Sequence, residues 1–266
     1  MRFHHYLPAP SLQPLLQGYL EADCRRGVGN SMHTLFPNGL SGIFFNFGDT
    51  GTLILEKEYK AAPVSIFGQI DQHFTVTHAP GFYSLGVLFK PTTLSKFLRA
   101  DISEFTNRAF DGRLLRADLL VLHEKLQQAP HIQQKITLLN AYFCRSLLNL
   151  GSQKTFSDYA VHLINTEENL TIEKLADRLH ISQRYLEMNF KRSVGLSPKS
   201  YLLIQRFMRA ERKLKKGSVP GQSLSFGDEY YDQMHFIKNF KRFTGYTPAR
   251  YLLENLEMGK SYLIRS

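Results

Sequence analysis

Residues 190–203 read FKRSVGLSPKSYLL and residues 240–253 read FKRFTGYTPARYLL. Eight of the fourteen positions are identical at a constant offset of 50, and Ser197/Thr247 is a conservative ninth. A low-complexity tract would not repeat this mixture of Phe, Lys, Arg, Gly, Pro, Tyr and Leu, so the chain carries two copies of one structural unit. Upstream of the first copy, Ile172, Leu175, Ala176 and Leu179 fall on one face of a helix. Thr171 is placed to cap that helix, and Leu170 to staple against Leu175. After His180-Ile181 a second helix starts at Ser182, with Leu186 and Phe190 turned inward and Ile181 positioned to staple to Leu186. Two short helices joined so briefly must cross steeply, and small Ala176 lets them approach, which is helix-turn-helix geometry. Gly195 supplies the left-handed turn that ends the second helix, and Ser197-Pro198 opens the next.

The second copy repeats the plan. Asp232 takes the capping position of Ser182, while Phe236 and Phe240 face inward. Between the copies, Ser200 to about Lys216 reads as one helix carrying Arg206, Arg209, Arg212, Lys213, Lys215 and Lys216. About 17 residues at ~1.5 Å each span roughly 25 Å. With the half-width of each unit, such a rod would set two second helices about one DNA turn, ~34 Å, apart.

The outward faces of those helices carry groups that read base edges: Gln183, Arg184, Glu187 and Met188 in the first copy, and Gln233, Met234, His235 and Lys238 in the second. Arg suits guanine, Gln adenine and Glu cytosine. Ser182, Lys191, Arg192, Lys241 and Arg242 suit phosphate contacts that fix register. The formal charge of +10 is uneven: residues 152–266 hold 19 Lys/Arg against 12 Asp/Glu, and residues 1–151 hold 14 against 11. The basic surface therefore belongs chiefly to the helical third. The competing reading is a helical bundle whose basic residues are merely solvated.

These residues resemble the AraC/XylS family of bacterial transcription regulators. LTIEKLADRLHISQRYLEMNFKRSVGLSPKSYLLIQRF is similar to the family's first helix-turn-helix and connecting helix, and YYDQMHFIKNFKRFTGYTPARYL to its second recognition helix and signature end. The resemblance covers roughly residues 154–255 and implies base contacts from the positions just named. One stretch departs from the pattern: Leu224-Ser225-Phe226-Gly227-Asp228-Glu229 has Glu229 where the family has Gly and Gly227 inside the preceding helix. Gly in a helix interior costs ~1 kcal/mol, so a weaker second unit is expected.

The front of the chain reads as β-rich. Residues 42–47, 52–55, 64–67 and 85–89 are short, aromatic or β-branched runs bounded by Gly, Pro, Asp and Asn. A helix is expected around Ser11–Ala22 and another at Thr93–Ala100. Leu115, Leu119, Leu122 and Leu126, then Ile136, Leu139, Phe143 and Leu147, give a helical hairpin over 114–150 that would pack on its own domain or form a dimer seam. The fragments Phe36-Pro37-Asn38-Gly39, Phe45-Asn46-Phe47-Gly48, Phe67-Gly68-Gln69 and Leu85 to Pro91 resemble the sensor domain of one AraC subgroup, implying a small cupin-like β-barrel.

The expected fold is therefore α+β in two domains. Residues 1–151 form a β-barrel, cupin-like effector-sensing and dimerisation domain with a helical connector. Residues 152–266 form an all-α, homeodomain-like tandem of helix-turn-helix units at about 171–193 and 222–243, joined by a helix at about 198–216, seven helices in all. Phe45, Phe47, Phe67 and Phe89 are candidates for a ligand pocket.

No cofactor, metal or catalytic residue is expected. The histidines lack ligand spacing, and no P-loop, dinucleotide or Gly-x-Ser-x-Gly signature occurs. MRFHHYLPAP lacks a signal peptide's apolar run, no membrane-spanning stretch is present, and Cys24 and Cys144 suit a reducing compartment, so a cytoplasmic location is expected. The expected partners are double-stranded DNA, a small-molecule effector, a second copy in a homodimer and, for an activator, RNA polymerase. The alternatives are an effector-independent architectural DNA-binding protein and an enzyme domain fused to a DNA-binding module.

Overall fold

Ser41–Phe47 reads SGIFFNF, and its alternation puts Ile43 and Phe45 on one face of a strand and Phe44 and Asn46 on the other. That strand lies near the centre of the front half in a computed structural model that describes residues 2–26, 30–48, 52–54, 58–147, 154–217, 233–251 and 253. The strands are β1 (Arg2–Tyr6), β2 (Leu16–Asp23), β3 (Ser31–Leu35), β4 (Ser41–Phe47), β5 (Thr52–Ile54), β6 (Glu58–Lys60), β7 (Val64–Phe67), β8 (Phe74–His78), β9 (Tyr83–Phe89) and β10 (Ala109–Asp111). They make two antiparallel sheets, ordered β1-β2-β9-β4-β7-β10 and β3-β8-β5-β6. Central β9 is buried along its whole length, which is why YSLGVLF lacks the polar alternation of a half-exposed strand.

Two expectations are corrected here. Among the described residues no ladder joins the sheets, so the expected closed barrel is replaced by two sheets facing each other across a cavity. The helix expected around Ser11–Ala22 is instead a short turn at Pro10–Leu12 followed by β2, paired on both sides, with Tyr19 opposite both Tyr6 and Val87. Leu16, Tyr19 and Leu20 carry helical spacing, but pairing with nearby β1 and with β9, sixty or more residues away, decides the outcome.

The outer face of the larger sheet is covered by α1 (Thr93–Leu98), α2 (Gly112–Leu115), α3 (Asp118–Gln128) and α4 (Ile132–Leu147). Leu119, Leu122, Ile136, Leu139 and Phe143 join Ile43, Phe45, Val87 and Phe89 in one core. The hairpin therefore packs on its own sheet, and these five side chains are not available as a dimer seam. The expected boundary at 151/152 lies outside the described residues.

The rest is helical: α5 (Phe156–Thr166), α6 (Ile172–Arg178), α7 (Gln183–Val194), α8 (Pro198–Gly217) and α9 (Gln233–Thr244), with helical residues again at 248–251. One second core spans both copies, from Leu175, Leu186 and Phe190 through Phe207 to Phe236, Phe240 and Tyr251. The repeated tyrosines do matched work: Tyr201 Oη donates to Asn165 Oδ1 at 3.0 Å, and Tyr251 Oη to Glu211 Oε1 at 2.7 Å. Among the described residues no helix is long and apolar enough to cross a membrane.

The two halves are joined at Asp158, the third residue of α5. Its carboxylate completes a capping box with Thr155 and accepts Lys96 Nζ of α1 at 2.8 Å. Burial works against its ionisation, but the bonds from Lys96, Thr92 and Thr155 outweigh that and hold the carboxyl below its ordinary value.

Candidate nucleic-acid interface

The first unit forms as its caps dictate. Thr171 Oγ1 and Ser182 Oγ each accept a backbone N–H, from Lys174 and Tyr185, at 3.2 Å. Leu186 and Phe190 are fully buried, and Gly195 ends α7 with φ 93°. Gln183, Arg184, Glu187, Met188 and Lys191 all stand on the exposed side of α7. In the second unit Phe236 and Phe240 are buried, whereas Met234, Lys238, Lys241 and Arg242 are exposed. The side chains of Gln233 and His235 lie outside the described residues, as do Asp232 and the divergent stretch Leu224–Glu229.

Connecting helix α8 is 20 residues long, about 30 Å at ~1.5 Å per residue. Not all of its cations face outward. Arg206 donates to the Leu170 carbonyl at 3.1 Å and Arg209 to the Ile164 carbonyl at 3.2 Å, so both brace the first unit. Arg212 is exposed, and the side chains of Lys213, Lys215 and Lys216 lie outside the described residues.

Two residues expected at phosphates are engaged by the front domain, at equivalent places in the repeat. Arg192 pairs with Asp101 at 3.3 Å, and its carbonyl accepts the Ile102 N–H at 3.0 Å. Fifty positions on, Arg242 pairs with Asp71, and its carbonyl lies 3.0 Å from His73 Nδ1 and accepts the His73 N–H at 3.4 Å. Both carboxylates are held locally: Asp101 accepts the Ser103 N–H at 2.9 Å, and Asp71 accepts Asn107 Nδ2 at 2.9 Å. The front domain thus bonds carbonyls near the C-terminal ends of both exposed helices, where intrahelical donors run out. The paired glycines make room for this. A Cβ on Gly195 would sit 3.3 Å from the Ile102 carbonyl oxygen, and one on Gly245 3.1 Å from His73 Nε2. Nothing in the sequence singled out Asp71, His73, Asp101 or Thr106, whose hydroxyl donates to the Gly195 carbonyl, because their partners lie 89 to 171 residues away.

The front domain holds a cavity of about 160 Å³ between its two sheets. Of the four phenylalanines expected to line it, only Phe67 does. Phe45 and Phe89 point through the larger sheet into the core under the helices, and Phe47 stacks on His123. The strand's two-residue period puts Phe44, not Phe45, on the cavity side. Ser41 Oγ and His78 Nδ1, both on its wall, find no hydrogen-bond partner; a buried polar group so left costs about 1–3 kcal/mol.

Burial first, and then the neighbouring His33, push the His78 imidazole down from 6.5 to about 4. Between those values the unfolded chain holds the extra proton. Stability is therefore complete above pH 6.5 and declines as the pH falls toward 4. Urea titrations at several pH values should show His78→Gln with a shallower decline; identical slopes would exclude this source.

The fold and the exposed helix faces define a tandem helix-turn-helix protein with a β-rich front domain. Residues 175–254 match the family described as a helix-turn-helix domain, and residues 4–111 a domain of unknown function (DUF6597). The HTH-type transcriptional regulator YtdP of Bacillus subtilis is 30% identical over 107 residues, 40% of this chain and 14% of that protein. The lactose operon transcription activator of Staphylococcus xylosus is 34% identical over 86 residues, 32% of this chain and 31% of that protein. The multiple antibiotic resistance protein MarA of Salmonella typhimurium is 25% identical over 100 residues, 38% of this chain and 79% of that protein. The chain thus spans well under half the length of the first of these relatives. Among solved structures, ToxT from Vibrio cholerae bound to (E)-4-(8-methylnaphthalen-1-yl)but-3-enoic acid aligns with TM-score 0.45 and 13% identity, over 85% of this chain and 99% of that one. Residues 175–254 thus form a helix-turn-helix domain similar to those of transcription regulators.

Proposed function

We propose that the chain is a sequence-specific DNA-binding transcription regulator whose affinity responds to a small molecule held in its front domain. The observation that carries this reading is the exposed set Gln183, Arg184, Glu187 and Met188 on a capped helix whose opposite face is buried, repeated fifty residues on with Met234 and Lys238 outward. Base-reading is assigned to these four with Gln233, Met234, His235 and Lys238. Backbone positioning is assigned to Ser182, Lys191, Arg192, Lys241 and Arg242. Residues 1–151 act as the sensing domain and residues 152–266 as the DNA-binding domain. The setting is the cytoplasm, with RNA polymerase as the further partner of an activator. A homodimer built through the helical hairpin would have to use its outer side, where Leu114, Leu115 and Val121 are exposed, since the inner leucines are consumed by the core.

Selection of preferred sites from random duplex DNA tests this directly. Arg184→Ala and Gln233→Ala should each relax the preference at one or two base positions, at about 1–3 kcal/mol per lost bidentate contact. Uniform weakening across all sequences would demote both to backbone contacts. Binding indifferent to sequence would favour the architectural alternative, and turnover by residues 1–151 the enzymatic one.

A further inference from the structure

The cavity between the two sheets has a composition that restricts what can enter it. Its wall is mostly aromatic and aliphatic, including Phe3, Phe44, Phe67, Phe74 and Phe82. Among the described residues that line it there is no Lys, Arg, Asp or Glu. Its titratable groups are His5, His33 and His78, and burial favours the neutral form of His5 and His78, so an ionised ligand would exchange water for a wall without a fixed counter-charge, which is unfavourable. The size is equally restrictive: 160 Å³ is close to the roughly 150 Å³ of apolar cavities that accept benzene. Ser41, 2% exposed, and His78, 7% exposed, offer an oxygen and a nitrogen with no protein partner. A hydroxyl, which donates and accepts, suits either.

One wall of the cavity is also a contact with the DNA-binding helices. Phe36, Asn38 and Leu40 line it. The ring of Phe36 meets Tyr251 of the second copy edge-on, at 5.9 Å between centroids. Between them Gly39, at φ 76°, lies so close to α8 that a Cβ would sit 2.7 Å from Gln205 Nε2 and 3.0 Å from the Tyr201 ring. Its carbonyl accepts Gln69 Nε2 at 2.8 Å. A five-residue segment thus has one side on the cavity and the other on the helix that spaces the two recognition helices.

Resting on the regulator reading above, we infer that this cavity takes a neutral, single-ring compound bearing one hydroxyl-type group, and that residues 36–40 carry its occupancy to α8 and Tyr251. The neutral molecule fills the apolar volume and supplies a partner to Ser41 or His78. Its contact with Phe36 is what distinguishes the occupied domain at the helical surface.

Phenol is the probe and benzoate its charged counterpart, with the full-length protein throughout. Calorimetry should detect phenol binding and a phenol-dependent rise in melting temperature, and neither for benzoate. Ser41→Ala with His78→Leu should weaken phenol about fivefold or more, as expected for a lost hydrogen bond, and leave benzene unaffected. On a DNA site selected as above, phenol should change affinity, and Phe36→Leu should keep phenol binding while losing that change. Benzoate binding as tightly as phenol, or no phenol binding, overturns the ligand class; phenol binding with unaltered DNA affinity overturns the coupling. Calorimetry needs no DNA, so a protein that binds phenol and no selected DNA site condemns the regulator reading and leaves the ligand class standing.

Discussion

Phe207→Ala should destabilise the helical domain by about 3–5 kcal/mol, the range for truncating a buried Phe, and should release the second recognition helix first. Phe207 sits in the middle of α8 with no exposed surface, its ring 5.3 Å from that of Phe240 and 5.2 Å from that of Phe243. Those two residues lie with Phe236 on the inward face of α9. Tyr201, the other aromatic of α8, meets Phe190 of the first unit instead, so the cavity left by truncating Phe207 opens on the seam between spacer and second helix. Urea unfolding followed by helical signal checks the magnitude, and Phe207→Leu, which keeps most of the volume, should lose less than half as much. A loss below about 1 kcal/mol, the scale of a single cap, would mean that the second unit does not depend on the spacer. In DNA selections the variant should keep the base preference of α7 and lose that of α9.

The contrast between the two halves explains what the sequence made legible. The helical third was readable because its determinants are local: Thr171, Ser182 and Gly195 act within four residues of themselves, and Leu186 with Phe190 marks the inner face by spacing alone. The offset of 50 then doubled every inference. The front half was readable only in class. Strand β2 was misread as helix because its pairing with β9 joins residues sixty or more apart, and no local signal reports such a partner. The cavity wall was misassigned by one residue in β4, since Phe44 and Phe45 are chemically alike and only the register with β9 decides which faces inward. The fragment Phe36-Pro37-Asn38-Gly39 stood out in the sequence as a family feature without a physical reason. Its reason is tertiary: Gly39 permits the close approach of α8, and Phe36 reaches Tyr251.

The same tertiary blindness hid the carboxylates of Asp71 and Asp101, whose removal should strengthen DNA binding, although neither side chain touches DNA in this reading. They hold Arg242 and Arg192, the residues at corresponding positions of the two copies. The Arg192–Asp101 pair is about half exposed and the Arg242–Asp71 pair about a third, so each contributes on the order of 1 kcal/mol to stability; the double variant Asp71→Ala/Asp101→Ala should melt only slightly below the parent. On DNA the balance differs, because a guanidinium held by a carboxylate must leave it before it can displace a counterion from phosphate. Two arginines so freed should steepen the dependence of log K on log salt by about 1.8, at roughly 0.9 per phosphate, and tighten binding about tenfold or more near physiological salt. The competing expectation follows from the backbone bonds at the same places, from Ile102 and His73 to the Arg192 and Arg242 carbonyls. If the carboxylates serve mainly to hold both units in register, the double variant will bind DNA more weakly with an unchanged salt slope. Repeating the measurement in Arg192→Ala/Arg242→Ala closes the cycle: competition for phosphate predicts that the aspartate substitutions then have no effect, whereas a positioning role leaves one through the altered contact surface.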